Sequence, residues 1–325
     1  HLLLMTIKPN PKHISSKQEA ERILSKYDNF LFDCDGVIWL DEDLIPGVDK
    51  FLEWLTKNNK KFAFVSNNSS KSRNAYLKKF ENLNIPNITK EILYPTCYSA
   101  ALELQKLNIP KGSKIWVLGH EGIVDELRDM GYLPLGGNDK LLDEAFDHQN
   151  PILTVDPEVK AVVVGSTKEF NYMRIALTLQ YLLHDHKSLP FIGCNIDRTY
   201  PGPKGLILPA GGSIVNYMSY TSNRDFINVG KPSKQFLDII LEDQKFDRSK
   251  TLMVGDTLYT DIKFGNDGNL GGDEENGGTL LVLSGGTKKK DLSHLLHNRH
   301  ECKDSESLVP LYFVESLGKL IDLLE

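Results

Sequence analysis

Short apolar runs that stop abruptly at polar clusters set the rhythm of this chain. Phe30-Leu31-Phe32 ends in Asp33-Cys34-Asp35-Gly36, and Lys61-Phe62-Ala63-Phe64-Val65 ends in Ser66-Asn67-Asn68-Ser69-Ser70. Each reads as a buried strand followed by a tight turn. Between them Val48, Phe51, Leu52 and Leu55 recur at helical spacing behind Pro46-Gly47. After the second run, Ser69 or Ser70 is the expected cap of a helix with Leu77, Phe80 and Leu83 on one face. The grammar returns late in the chain, where Thr251-Leu252-Met253-Val254 ends in Gly255-Asp256 and Thr279 to Leu283 ends in Ser284-Gly285-Gly286. Apolar strands alternating with helices predict an α/β fold built on a parallel sheet covered on both faces.

The middle of the chain has an α/β rhythm of its own. Lys114 to Leu118 reads as a strand, Glu121 to Met130 as a helix and Lys160 to Val164 as a strand. Tyr172, Ile175, Ala176, Leu179 and Leu182 or Leu183 mark a helix face before a short strand at Phe191-Ile192. Residues 20–108 and 208–325 are therefore expected to form a discontinuous core, and residues 109–207 an inserted second domain. The acidic, glycine-flanked stretch from Gly271 to Gly278 reads as a flexible loop insertion. No repeat of 20–50 residues is evident, which argues against a solenoid.

Composition narrows the function classes. Of 325 residues, 40% are hydrophobic and 25% charged, a globular balance, and the formal net charge is -6. That charge is a poor footprint for a nucleic-acid binder. The four cysteines, Cys34, Cys97, Cys194 and Cys302, make no CxxC pair and read as reduced thiols. No apolar run approaches the roughly 18 residues of a membrane span. The opening His1-Leu2-Leu3-Leu4 lacks the basic start of a signal peptide, and Met5 reads as the natural first residue after a cloning remnant. The cytoplasm is the expected location.

Ligands bind at the carboxyl ends of strands in open parallel sheets. Here those ends carry Asp33 and Asp35, Ser66 and Asn67, and Asp256 with Asp261. Converging carboxylates repel one another unless a cation is present, and a hard divalent ion such as magnesium suits oxygen donors. Gly230-Lys231-Pro232 offers the missing positive side chain. A lone DxD is weak evidence, since it also occurs in metal-dependent glycosyltransferases and in plain acidic turns. Each of the other clusters alone reads as an ordinary turn, cap or solvated lysine. Their conjunction, in order and at strand ends, carries the argument.

The set resembles the haloacid dehalogenase-like hydrolase superfamily. Phe32-Asp33-Cys34-Asp35-Gly36-Val37 fits its first motif, Val65-Ser66-Asn67-Asn68 the second, Lys231 the third, and Gly255-Asp256-Thr257-Leu258-Tyr259-Thr260-Asp261 the fourth. The long insertion before Lys231 looks like the C2-type α/β cap of p-nitrophenyl phosphatases, a family that includes phosphoglycolate and pyridoxal phosphatases. The resemblance implies a Rossmann-like core and a magnesium-dependent phosphatase of small phosphate monoesters, phosphoglycolate-like and aryl phosphates among them. It implies Asp33 as the nucleophile that becomes an aspartyl phosphate, and Asp35 as the acid and base. Asp33, the Asp35 backbone carbonyl and Asp256 would hold magnesium, and Asp261 would orient Lys231 or a metal-bound water. Ser66, Asn67, Asn68 and Lys231 would bind the phosphoryl group.

The resemblance leaves alternatives open. A phosphomutase or other phosphotransferase uses the same aspartyl phosphate, and a weakly catalytic, metabolite-sensing binding module would keep the fold. Relatives often pair through their caps, so a homodimer through the cap stays open; neither nucleic acid nor membrane is an expected partner. Within the cap, Asn195, Asp197 and Arg198 in the loop from Gly193 are candidate substrate contacts, weighed against a plain turn. Cys34 reads as a small buried filler whose oxidation would disturb the site. His13 and His120 read as packing or surface residues, and Lys288-Lys289-Lys290 as a solvated helix end.

Overall fold

The computed structural model describes residues 7–272 and 277–325. The start at Met5 and the acidic centre of the 271–278 insertion lie outside them. The chain divides into two compact units. The first holds the described residues up to Ser66, then Leu83–Asn87, then those from Lys231 onward; the second holds Asn67–Asn82 and Ile88–Gly230.

Within the first unit, parallel strands run side by side in the order Lys12–His13, Tyr312–Val314, Thr279–Val282, Thr251–Gly255, Asn29–Phe32 and Lys61–Ser66. Asn29–Phe32 and the core of Lys61–Ser66 are buried, as an internal parallel strand must be. Phe32 packs its ring against Phe30, Phe51, Phe62 and Phe64. The strand order reverses between Asn29–Phe32, whose chain continues to Lys61–Ser66 on one side, and Thr251–Gly255, which continues to Thr279–Val282 on the other. A topological switch point therefore lies where Asp33 and Asp256 leave adjacent strands.

The second unit has its own parallel sheet, ordered Ile227–Asn228, Phe191–Gly193, Val159–Val164, Lys114–Leu118 and Leu133–Gly136. It extends beyond the expected limits of 109 and 207 because helices on both sides join its cores. Thr96–Lys106 contributes Cys97, Ala100, Ala101 and Leu104 beside Ile115, Val117 and Ala161. Gly211–Ser222 contributes Ile214, Val215 and Met218 beside Val162 and Leu177. A small hairpin, Thr199–Pro201 with Ile207–Pro209, follows the Gly193 loop.

Two local readings are corrected. The helix Arg73–Asn82 is capped by Ser72, whose Oγ accepts from the Ala75 N–H at 3.2 Å, not by Ser69 or Ser70. Ser70 is already spent on an Asx turn, its N–H and hydroxyl donating to Asn68 Oδ1 at 2.8 and 2.6 Å, and Ser69 Oγ accepts from Ser166 N at 2.9 Å. On Tyr172–Lys187 the buried stripe is Met173, Arg174, Leu177, Thr178, Tyr181 and Leu182, with Tyr172 exposed. Arg174 is 2% exposed because Asp143 and Glu169 meet its charge and the carbonyls of Gly137 and Asp139 take further N–H groups. Thr178 accepts from the Trp116 indole at 2.9 Å. Saturated polar groups such as these enter a core without leaving a hydrophobic signature.

Candidate active site

Asp33 stands one residue past the end of its strand, and its backbone N–H still donates to Val254 O on the neighbouring strand at 3.0 Å. Asp256 follows that neighbour directly. Asp261 lies one π-helical turn further on, in Leu258–Ile262, a wide turn of the kind found at functional sites. The turn points the Asp261 carboxylate back at the strand end, where Oδ2 accepts from the N–H groups of Asp256 and Thr257 at 3.0 and 3.1 Å. Only glycine fits beneath it, since a Cβ on Gly255 would lie 2.1 Å from Asp261 Cβ.

Lys231 is the hub. Its ammonium donates to Val65 O at 2.6 Å and Asp261 Oδ1 at 2.7 Å, and lies 3.1 Å from Asp33 Oδ1. Three N–H donors thus find three acceptors. Burial works against its charge, yet Asp261 and Asp33 outweigh burial and hold the ammonium protonated above the usual lysine range. The carboxylates show the opposite imbalance. Burial, then the charge of Asp261, pushes Asp256 up from 3.8 to about 6, despite the Gly286 N–H on Oδ2 at 2.7 Å. Burial and the charges of Asp261, Asp256 and Asp35 raise Asp33 well above the carboxylate range, against the pull of Lys231. One ammonium cannot neutralise this cluster.

The donor set fits a hard divalent cation. Asp33, Asp256 and Asp261 each offer a carboxylate oxygen within 4.8 Å of the others. Oxygen-only donors suit magnesium rather than softer metals. Asp261 gives one oxygen to the Lys231 ammonium and the other to two backbone N–H groups, whereas each Asp256 oxygen accepts a single neutral donor. Around Asp256 the wall is bare backbone: a Cβ on Gly36 or Gly285 would sit 2.2 or 2.1 Å from Oδ2. Gly36 also adopts φ +83°, which favours glycine.

Asp35 is exposed, and its Oδ1 accepts from the Trp39 indole at 2.9 Å. Ser66 ends its strand 3% exposed. Cys34 is buried, and its carbonyl accepts from the Val37 and Ile38 N–H groups, consistent with a filler at a tight turn. Trp39, Gly285 and Gly286 were not singled out from the sequence as site residues. Gly285 and Gly286 were findable, because Ser284-Gly285-Gly286 ends the strand next to that of Asp256.

The remaining expected residues belong to the second unit. Asn67, Asn195 and Asp197 form one network there. Asn67 Nδ2 donates to Asp197 Oδ2 at 3.2 Å, Asn195 Nδ2 to Asn67 O at 2.7 Å, and Asp197 N to Asn195 Oδ1 at 3.2 Å. Asn68 closes the Asx turn described above, and Arg198 is exposed with its carbonyl accepting from Ala210 N. A separate cavity of about 680 Å³ in this unit, beside Trp116 and Tyr181, contains none of the expected site residues. His13 pairs with Glu315 at 2.7 Å, and His120 Nε2 accepts from Lys168 N, both structural duties.

Comparison with known proteins gives the family. The haloacid dehalogenase-like hydrolase model matches residues 30–133, and the HAD-hydrolase-like model residues 228–305. The 4-nitrophenylphosphatase of Schizosaccharomyces pombe is 37% identical over 313 residues, 96% of this chain and 99% of the relative. The chain belongs to the haloacid dehalogenase-like hydrolases. Chloroplastic phosphoglycolate phosphatase 1A of Arabidopsis thaliana is 37% identical over 286 residues, 86% of this chain and 75% of that protein. Among solved structures, the p-nitrophenyl phosphatase of Archaeoglobus fulgidus superposes with a TM-score of 0.73 at 26% identity, covering 91% of this chain and 98% of its own. The fold is thus the Rossmann-like α/β core of these hydrolases with an inserted C2-type cap, and the enzyme class is that of the phosphatases.

Proposed function

We propose that this chain is a magnesium-dependent phosphatase of small phosphate monoesters, phosphoglycolate-like and aryl phosphates, working through an aspartyl phosphate on Asp33. One observation carries the reading: Asp33 and Asp256, raised in pKa by burial, share a cradle with a lysine whose three donors are all engaged. Lys231 and the Cys34 N–H both hold Oδ1 of the Asp33 carboxylate in one orientation, so that the other oxygen can attack phosphorus. Asp35, exposed beside it, donates the proton that the leaving oxygen needs and takes one from the water that later attacks the acyl phosphate. Ser66 and the Asn67 amide bind phosphoryl oxygens. Phosphatases of this family generally use Mg2+; here Asp33, Asp256 and the Asp35 carbonyl would hold it, and it would supply positive charge to the incoming phosphate.

The second unit is read as the cap, which restricts the site to small esters, with Asn195, Asp197 and Arg198 as its substrate contacts. Its network of Asn67, Asn195 and Asp197 supports that role for the first two of these. The three buried cysteines and exposed Cys302 are all free thiols, in keeping with a cytoplasmic enzyme. Among the described residues no helix is long and apolar enough to cross a membrane.

The test is a panel of phosphorylated metabolites plus 4-nitrophenyl phosphate, scored for released phosphate against Asp33→Asn. The reading expects selective hydrolysis that vanishes in the variant. Hydrolysis that persists in Asp33→Asn, or none by the wild type, refutes it; phosphate moved to an added alcohol would make the chain a phosphotransferase.

A further inference from the structure

The Trp39 indole N–H donates to Asp35 Oδ1 at 2.9 Å. The ring is 1% exposed whereas Asp35 is exposed, so a buried donor reaches an acid at the surface of the site. The loop between them is closed on itself. Val37 and Ile38 donate to Cys34 O at 3.1 and 2.8 Å, and Gly36 N donates to Trp39 O at 2.8 Å. Trp39–Leu40 then pairs with Asp43–Leu44. These bonds fix the Trp39 backbone, and the burial of its ring fixes the side chain.

An indole nitrogen is a donor only. A proton on Asp35 Oδ1 would compete with that N–H for the same oxygen, whereas Oδ2 carries no such constraint from Trp39. We infer that Trp39 is a positioning residue that reserves Oδ2 of Asp35 for the proton exchanged with substrate. The inference rests on the reading of Asp35 as acid and base. In the first half of the reaction the proton leaves Oδ2 for the ester oxygen as the bond from that oxygen to phosphorus breaks and Asp33 bonds to phosphorus. In the second half, water gives its proton to the same Oδ2 as its oxygen bonds to phosphorus and the Asp33–phosphorus bond breaks. One oxygen serves both halves, and the carboxyl never has to rotate between them.

The test replaces Trp39 with 3-benzothienylalanine, which puts sulfur where the N–H was and keeps the ring shape, with Trp39→Phe as its simpler counterpart. Leaving-group release in the first turnover is measured on 2-phosphoglycolate, an alkyl ester that needs the proton, and on 4-nitrophenyl phosphate, which departs nearly unaided. The alkyl rate should fall roughly 10-fold and the aryl rate by less than about 3-fold, with KM nearly unchanged on both. A merely structural loosening would slow both substrates together, and that result, or no loss at all, overturns the inference. Asp35→Asn run in parallel separates the two claims. If it shows no alkyl-selective loss, the acid role of Asp35 falls and Trp39 falls with it. If it shows that loss while the Trp39 variants leave the ratio unchanged, only the inference about Trp39 falls.

Discussion

Asp256 is the group most exposed to test, because its charge is costly to the folded chain. Its carboxyl is 6% exposed and pushed from 3.8 to about 6 by burial and by Asp261. A folded-state pKa raised this far means that ionising Asp256 weakens the fold by about 3 kcal/mol. The sign follows directly. Stability from this group is complete below 3.8, falls as pH rises toward about 6, and is lost above it. Asp256→Asn removes the charge without removing the hydrogen bonds. The Asn oxygen can accept from Gly286 N, and its amide can donate to the Thr257 hydroxyl, which now donates to Asp256 Oδ1 at 3.2 Å.

In EDTA at about pH 8, Asp256→Asn should therefore melt above the wild type by roughly 5 °C, and near pH 4 the two should coincide. Magnesium should raise the wild-type melting temperature at pH 8 and leave the variant's unmoved, since the variant has lost a donor. Scanning calorimetry over that pH range reads all three. A variant less stable than wild type at pH 8, or a difference that ignores pH, would show that the buried charge is not the source of strain.

Asp261→Asn should do the reverse of its neighbour and cost about 3 kcal/mol in denaturant unfolding, because one side of the carboxyl faces Lys231 and the other two backbone N–H groups, so the amide meets a donor either way. Asp33→Asn should lower kcat at least about 10^4-fold with native circular dichroism; a smaller loss in steady-state assays would remove it as the nucleophile. Arg174→Met should destabilise the second unit by about 2 kcal/mol, since the carbonyls of Gly137 and Asp139 lose their donor, and urea unfolding with an unchanged midpoint would contradict this.

The strand-end acids were legible because a buried parallel strand is a run of apolar residues that must stop where the chain meets the site. Asp33, Asp256 and Asp261 therefore announced themselves by what preceded them, and Lys231 by its resemblance to a known motif. Two kinds of feature stayed hidden. Polar residues saturated by partners far along the chain, such as Arg174 and Thr178, turned the buried face of Tyr172–Lys187 away from its apolar stripe. Side chains that act through a neighbour, such as Trp39, look like core residues until the bond they make is seen. The cap of Arg73–Asn82 failed for a related reason: Ser69, Ser70 and Ser72 are chemically alike, and only the Asx turn at Asn68 decides which hydroxyl is left for the helix.

Hydrogen-bond capacity sorts four charged groups of the site into two kinds. Lys231 and Asp261 are spent: three ammonium donors have three acceptors, and both carboxylate oxygens of Asp261 are held by N–H groups. Groups so committed can fix charge and geometry but have little left for a ligand. Asp33 takes the Cys34 N–H and Lys231 on Oδ1, Asp256 takes one neutral donor on each oxygen, and burial leaves both ionised forms under-compensated. Under-compensated carboxylates are the ones that gain by taking a cation or attacking an electrophile. Reactivity here thus lies where the fold leaves charge unmet, and the saturated pair beside it keeps that unmet charge in one place.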